Sequence, residues 1–216
     1  MSKSVADALW SMLAGAGVKR CYGIVGDALN PVIDALRRNG RVEFIHVRHE
    51  EAGAFAAVAE ADLTDRPVVV CGTAGPGAVH LLNGLIDAQR EGAPVIALVG
   101  DVVSGELDTG ALEEVNPYAS FEVASLYTGR IVNPAQTRAV VQTAIRTALS
   151  ERGPVVIALP GDVAASRVPD DSYEAVVHNP PAAAAQRRRS AGVGGADRCR
   201  RLGHDLRRRR VSCCSR

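Results

Sequence analysis

Along most of this chain, short apolar segments that end in glycine alternate with segments whose apolar residues have helical spacing. This alternation limits the folds that the chain can adopt. Residues 68–71 and 94–99 are continuous apolar runs of the kind found in strands that are covered on both faces. Stretches with helical apolar spacing separate these runs from one another. The sequence therefore predicts an α/β domain, a doubly wound and mostly parallel sheet with helices on both faces.

The periodicity also predicts where the elements lie. Strands are expected at 20–25, 42–47, 68–71, 94–99 and 153–160, and helices near 4–15, 29–38, 51–63, 78–89 and 134–150. Phe55 and Ile86 are expected to face the core. Between residues 102 and 127 the periodicity fades, which predicts a loop region with short helical turns.

Composition divides the chain into three parts. Residues 1–165 form the predicted domain, and the polar, proline-containing residues 166–181 resemble a linker. In residues 182–216, eleven Arg accompany two Asp, and 27 of the 35 residues are Ala, Arg, Gly, Ser or Cys. Such a segment cannot bury a core, so we expect a disordered tail.

Two explanations of this tail remain open. Eleven Arg could bind nucleic acid or anionic lipid as a basic arm. However, the whole chain has 23 Arg and two Lys, as GC-rich genes produce, and every periodic signal stops abruptly at the tail. We therefore favour translation out of frame, and expect no nucleic-acid partner for a body with a net charge of −8.

The cysteines and the amino terminus narrow the class of protein further. The five cysteines show neither a disulfide framework nor zinc-ligand spacing, so no metal site is expected from them. The first residues lack an extended apolar region with a cleavage site, and no run of about 18 apolar residues occurs, so we expect a cytoplasmic protein. Membrane association could then come only through regions outside this sequence.

Candidate chemistry lies where strands end. Glu50 follows a predicted strand and begins a predicted helix, at the edge where open α/β sheets bind ligands. An acid at this position could instead serve only the helix dipole. The glycine-rich residues 72–77 have Gly-x-x-Gly-x-Gly spacing, which matches neither the dinucleotide loop nor the P-loop.

Five motifs together resemble the amino-terminal pyrimidine-binding domain of thiamine-diphosphate enzymes. They are Tyr-Gly-Ile-x-Gly from residue 22, Arg-His-Glu-Glu at 48–51, Gly-Pro-Gly at 75–77, His-Leu-Leu-Asn-Gly-Leu at 80–85 and Pro-Val-Ile-Ala at 94–97. The resemblance runs from about Val5 to Asp162. Residues 26–30, the double Glu50–Glu51 and His80 look like the pyruvate oxidase and quinone-dependent pyruvate dehydrogenase branch. An acetolactate synthase-like enzyme is the alternative.

The resemblance implies roles for particular residues. Glu50 is implied as the catalytic residue, hydrogen-bonding N1′ of the cofactor's aminopyrimidine. Cofactor-binding positions are implied in the glycine loops and the helix that follows them: Gly23, Val25, Thr73, Gly75, Pro76, Gly77, His80 and Asn83. His80 could equally be a packed structural residue. The implied activity is that of an oxidoreductase that decarboxylates pyruvate, a 2-oxo acid.

The resemblance also implies cofactor-binding motifs that this sequence does not contain. Family enzymes of this branch use FAD, and they hold Mg²⁺ and the diphosphate with a Gly-Asp-Gly motif, whereas the Gly-Asp pairs at 26, 100 and 161 lack the second glycine. We therefore expect a carboxyl-terminally truncated chain that is inactive alone. Its expected partner is the diphosphate-binding domain of another subunit in a homo-oligomer. Alternatively, it is a non-catalytic half-site subunit that pairs with a separate diphosphate-binding chain.

Overall fold

The computed structural model describes residues 3–169 and residue 173. Predictions for the tail at 182–216, and for most of the linker at 166–181, lie outside the described residues. Within the described part of the chain, no helix is both long enough and apolar enough to cross a membrane.

Helices and strands alternate along the described residues. The helices are α1 (Val5–Gly15), α2 (Asn30–Asn39), α3 (Glu50–Thr64), α4 (Pro76–Val79), α5 (Leu82–Glu91), α6 (Pro117–Phe121), α7 (Thr137–Thr147) and α8 (Gly161–Ala165). The strands are β1 (Arg20–Gly23), β2 (Glu43–His46), β3 (Val68–Gly72), β4 (Val95–Asp101), β5 (Tyr127–Arg130) and β6 (Val155–Pro160).

These strands form one parallel sheet in the order β2-β1-β3-β4-β6-β5. From β1 the chain winds outward to β2 and then returns to the opposite side of β1 to form β3. The strand order therefore reverses between β1 and β3, and a crevice opens outside their carboxyl ends, where such folds bind ligands.

Each face of the sheet has its own apolar core. Cys21, Val69 and Cys71 face the side covered by α1, α2 and α7, where the indole nitrogen of Trp10 donates a buried hydrogen bond to the carbonyl of Val32 at 2.7 Å. Alternate residues of the same strands face α3 and α5. The predicted doubly wound α/β architecture is confirmed.

Several local predictions were wrong. The side chains of Phe55 and Ile86 are 42% and 39% exposed, because they lie on the outer faces of α3 and α5. The single helix predicted at 78–89 is two helices, α4 and α5, which are separated at His80 and Leu81. Strand β5 was not predicted, since in Tyr127–Arg130 only Gly129 is fully buried.

The described residues after 165 pack onto the domain. The carbonyl of Ser166 accepts a hydrogen bond from the backbone N–H of Val5, and the N–H of Val168 donates to Lys3. Val168 and Tyr173 are both 5% exposed and join the apolar core that includes α1. The boundary at residue 165 stays a prediction.

The start of α1 is fixed by reciprocal hydrogen bonds. The backbone N–H and the hydroxyl of Ser4 both donate to the carboxylate of Asp7. In return, the backbone N–H of Asp7 donates to the Ser4 hydroxyl. Arg38 of α2 pairs with the same carboxylate at 2.8 Å. Burial raises the pKa of Asp7, but the bonds from Arg38 and Ser4 outweigh it, so the pKa lies below its ordinary value.

We expect Asp7→Asn to lower the free energy of unfolding by about 1 kcal/mol at neutral pH, because it removes one arm of the helix cap. A lowered folded-state pKa means that the carboxylate stabilises the fold above its unfolded pKa and loses this effect as the pH falls through the folded pKa. Urea unfolding of both proteins should therefore show a difference that shrinks below about pH 4. A difference that stays constant down to acid pH would contradict this account.

Candidate functional site

The carboxyl group of Glu50 lies at the edge of the sheet, just beyond β2. Glu50 is the first residue of α3 and is 7% exposed. The preceding residue, His49, is extended and caps the helix, since its Nδ1 accepts a hydrogen bond from the N–H of Glu51 at 3.2 Å. The sequence-based expectation that a strand end and a helix start meet at Glu50 is confirmed.

His80 holds this carboxyl group from a distant part of the chain. Its Nδ1 lies 3.0 Å from Oε2 of Glu50. Its ring also stacks against that of His49, with centroids 4.5 Å apart and planes inclined by 30°. Because α4 ends at His80 instead of continuing into α5, the imidazole can turn back toward α3.

Glycine lets the loop after β3 approach the other side of the carboxyl group closely. A Cβ atom on Gly77 would lie 3.2 Å from Oε1 of Glu50 and 2.9 Å from Cγ2 of Thr73. The Thr73 hydroxyl is buried and has no hydrogen-bond partner among the described residues. A buried carboxyl group and an unsatisfied hydroxyl thus flank Gly77, and a buried hydroxyl without a partner is uncommon in folded proteins.

The loop after β1 packs against Thr73 from the neighbouring strand. A Cβ atom on Gly26 would lie 2.3 Å from the Thr73 side chain, so the loops that follow β1 and β3 touch at the crevice between those strands. Gly23 ends β1, and its carbonyl accepts a hydrogen bond from the N–H of Val47, next to α3. Val25 lies in the same loop with its side chain 45% exposed.

The remaining predicted residues take different positions. Gly75 has φ 66° and ψ −125°, and a Cβ there would lie 2.9 Å from that of Glu113. Pro76 opens α4. The amide of Asn83 donates to Glu51 at 2.7 Å, so in this structure it supports the second acid instead of Glu50.

A cavity of about 320 Å³ lies over the carboxyl ends of β1, β3, β4 and β6, with Ala74 of the glycine loop in its wall. Its walls carry several acidic residues: Asp27, Asp101, Glu106, Glu113 and Asp162. Asp101 is buried and pairs with Arg130 of β5 at 2.9 Å. Burial raises the pKa of Asp101, although Arg130 opposes this. Arg130 was missed because no strand was expected around it.

The three Gly-Asp pairs have carboxylates that are already engaged within the protein. Asp27 accepts a hydrogen bond from the N–H of Ala28, and Asp101 pairs with Arg130. Asp162 accepts from the N–H and the hydroxyl of Ser104. Burial raises the pKa of Asp162, but these hydrogen bonds lower it by more. The pKa therefore lies below its ordinary value.

The sequence profile described as "Thiamine pyrophosphate enzyme, N-terminal TPP binding domain" matches residues 3–120. That segment includes α1, the first four strands, Glu50 and both glycine loops.

Curated relatives align over most of the chain. It is 47% identical over 160 residues to a 42.6 kDa protein from the isoamylase 3′ region of Pseudomonas amyloderamosa, which covers 74% of this chain and 40% of the relative. It is 37% identical over 169 residues to pyruvate oxidase of Lactiplantibacillus plantarum, covering 78% and 28% respectively. Against acetolactate synthase isozyme 2 large subunit of Escherichia coli it is 34% identical over 152 residues, covering 70% and 28%. The chain therefore spans less than half the length of these relatives.

The backbone at Gly75 provides a test of the loop geometry. Gly75→Ala adds a Cβ beside Glu113 at positive φ, whereas Gly110→Ala adds one at φ 76° with nothing within 4 Å. We expect Gly110→Ala to cost about 1 kcal/mol of unfolding free energy from backbone strain, and Gly75→Ala at least about 1 kcal/mol more. Equal losses in urea unfolding would show that Glu113 does not pack against the loop.

Proposed function

Because this chain belongs to the thiamine pyrophosphate enzyme family through its N-terminal TPP-binding domain, we propose that Glu50 and the glycine loop beside it bind the aminopyrimidine half of thiamine diphosphate. The observation that carries this proposal is the pairing of a buried carboxyl group with the unsatisfied hydroxyl of Thr73 across Gly77. Buried polar groups require hydrogen-bonding partners. Glu50 has one in His80, whereas the Thr73 hydroxyl has none among the described residues.

Glu50 is the proposed catalytic residue, exchanging a proton with N1′ of the pyrimidine. When bound, the cofactor supplies the electron sink for decarboxylation of a 2-oxo acid. His80 is a positioning residue in this proposal, because its contact at 3.0 Å restricts the rotamers of the Glu50 carboxyl group. It leaves Oε1, on the side of Gly77, to meet the ring.

The other predicted positions have supporting parts in this proposal. Thr73 offers its hydroxyl, and the backbone of Gly75, Pro76 and Gly77 lets a ring approach closely. Gly23 and Val25 contribute the loop on the β1 side of the crevice. Asn83 acts through Glu51, whose carboxylate it holds near the start of α3.

We further propose that the reaction is oxidative decarboxylation of pyruvate. The likeness to pyruvate oxidase supports this branch, and the Glu50–Glu51 pair and His80 agree with it. Acetolactate synthase is the second candidate, since a member of that group is nearly as similar. The same proposal includes FAD and Mg²⁺ as cofactors of the full-length enzyme. They would bind to regions other than the described residues.

The proposal includes a partner that completes the site, the diphosphate-binding domain of another subunit in a homo-oligomer. Support comes from apolar side chains that are 38–45% exposed on the loop after β1 and on α3, α4 and α5: Val25, Phe55, Val79 and Ile86. Exposed apolar groups on elements that adjoin a candidate site are typical of interaction surfaces. Residues 1–165 are the proposed domain, and 166–181 the proposed linker.

The proposed role of Glu50 predicts a specific loss of thiamine binding. Glu50→Gln removes the acid beside Gly77, while Glu51→Gln makes the same charge change at the next residue and keeps an oxygen for Asn83. Titration calorimetry with thiamine diphosphate should show binding at least about tenfold weaker for Glu50→Gln, as expected for a lost charge-assisted hydrogen bond. Glu51→Gln should stay within about threefold. Equal affinities for all three proteins would exclude Glu50 as the cofactor contact.

If the exposed apolar side chains form an interaction surface, a substitution there should weaken self-association without lowering the free energy of unfolding. Phe55→Glu replaces a part-exposed side chain with a good helix former, so the unfolding free energy should change by less than about 0.5 kcal/mol. Sedimentation should show weaker self-association. Leu112→Glu, at a side chain that is 92% exposed in a loop, is the matched control and should leave sedimentation unchanged. An unchanged association constant for Phe55→Glu would remove α3 from the interface.

A further inference from the structure

We propose that His49, Glu50 and His80 form a binding site for a divalent transition-metal ion of the zinc class. We also infer that this ion and the thiamine cofactor exclude each other, an inference that rests on the proposed role of Glu50. The three side chains belong to two separate segments, the start of α3 and the end of α4.

The three residues already lie close to the spacing that such an ion requires. One ligand atom from each residue lies within 4.8 Å of the others. Zinc binds imidazole nitrogen and carboxylate oxygen at about 2.0–2.2 Å, so ligand atoms on a tetrahedral ion lie roughly 3.3 Å apart. The separation of 3.0 Å between His80 and Glu50 is close to this value. Both imidazole side chains are about half exposed, so small rotations can close the remaining gap.

The ligand set selects the class of ion. Two imidazoles and one carboxylate are a set that binds zinc and leaves a fourth position for water. Imidazole suits zinc, copper and nickel, whereas Mg²⁺ and Ca²⁺ prefer ligand sets made wholly of oxygen. Solvent reaches the rings of His49 and His80, so a water ligand has access.

Two local effects oppose the binding of a cation. The amino terminus of α3 carries partial positive charge, which disfavours a nearby cation. Coordination through Nδ1 of His49 would also compete with its cap bond to Glu51, whereas coordination through Nε2 would preserve it. The negative charge of the Glu50 carboxylate offsets the dipole.

The exclusion follows from shared use of one carboxyl group. An ion that is bound to Glu50 withdraws the acid that the pyrimidine would use at N1′. It would also move the His80 ring, which contacts the same carboxyl group in this structure. Transition metal would then compete with the cofactor for Glu50.

Cobalt(II) serves as the test probe, because a tetrahedral cobalt ion absorbs visible light and an octahedral one absorbs weakly. The full chain is titrated with CoCl₂, and ZnCl₂ is then added to displace the cobalt. His49→Asn keeps a good helix cap, and His80→Gln keeps a hydrogen-bond donor for Glu50, but both remove a ligand. His46→Asn, at an exposed histidine outside the cluster, is the matched control.

We expect His49→Asn and His80→Gln each to weaken cobalt and zinc binding at least about tenfold, since even loss of an outer-shell partner costs about 10–100-fold. His46→Asn should bind as the unmodified chain does. Equal affinities in all four proteins would overturn the site, as would a cobalt–thiolate absorption band common to all of them, which would assign the ion to cysteine. Thiamine diphosphate should weaken zinc binding; if it does not, while the histidine variants behave as expected, the exclusion fails and the metal site stands.

Discussion

The close approach of backbone segments at the end of β3 is the constraint on which the rest of the site depends. A Cβ atom on Gly72 would lie 2.2 Å from the carbonyl oxygen of Gly77, so the chain can fold back over the strand end only with glycine there. The same fold brings Thr73 against Gly26 of the loop after β1. Together these contacts hold the loops after β1 and β3 against each other and place Gly77 beside the carboxyl group of Glu50.

A second close contact sets the distance between the two helices that carry the polar side chains. A Cβ atom on Gly84 would lie 2.3 Å from that of Ala54, so α5 rests directly on α3. This packing brings Asn83 to Glu51, and the interruption between α4 and α5 brings His80 to Glu50. The acid pair is therefore held by two residues about 30 positions further along the chain.

Most of the fold could be predicted because buried strands such as β3, β4 and β6 consist almost wholly of apolar residues. Strand β5 could not be predicted in this way, since it lies at the sheet edge and includes Thr128 and Arg130. The exposure of Phe55 could not be predicted, because it depends on which face of α3 is covered by α5. The interruption of the helix at His80 could not be predicted either, because neither His80 nor Leu81 is a glycine or proline. The position of Glu50 between a strand and a helix could be predicted from the sequence, whereas its catalytic role came from the family resemblance and stays a proposal. Its contact with His80 could not be predicted, because that contact depends on tertiary packing.

Nuclear magnetic resonance of thiamine diphosphate labelled with ¹⁵N at N1′ tests the central claim most directly. On binding to the chain, the N1′ resonance should shift in the direction of a protonated or strongly hydrogen-bonded ring nitrogen, and this shift should be lost in Glu50→Gln. A bound cofactor whose N1′ resonance is the same with glutamate and with glutamine at position 50 would contradict the account.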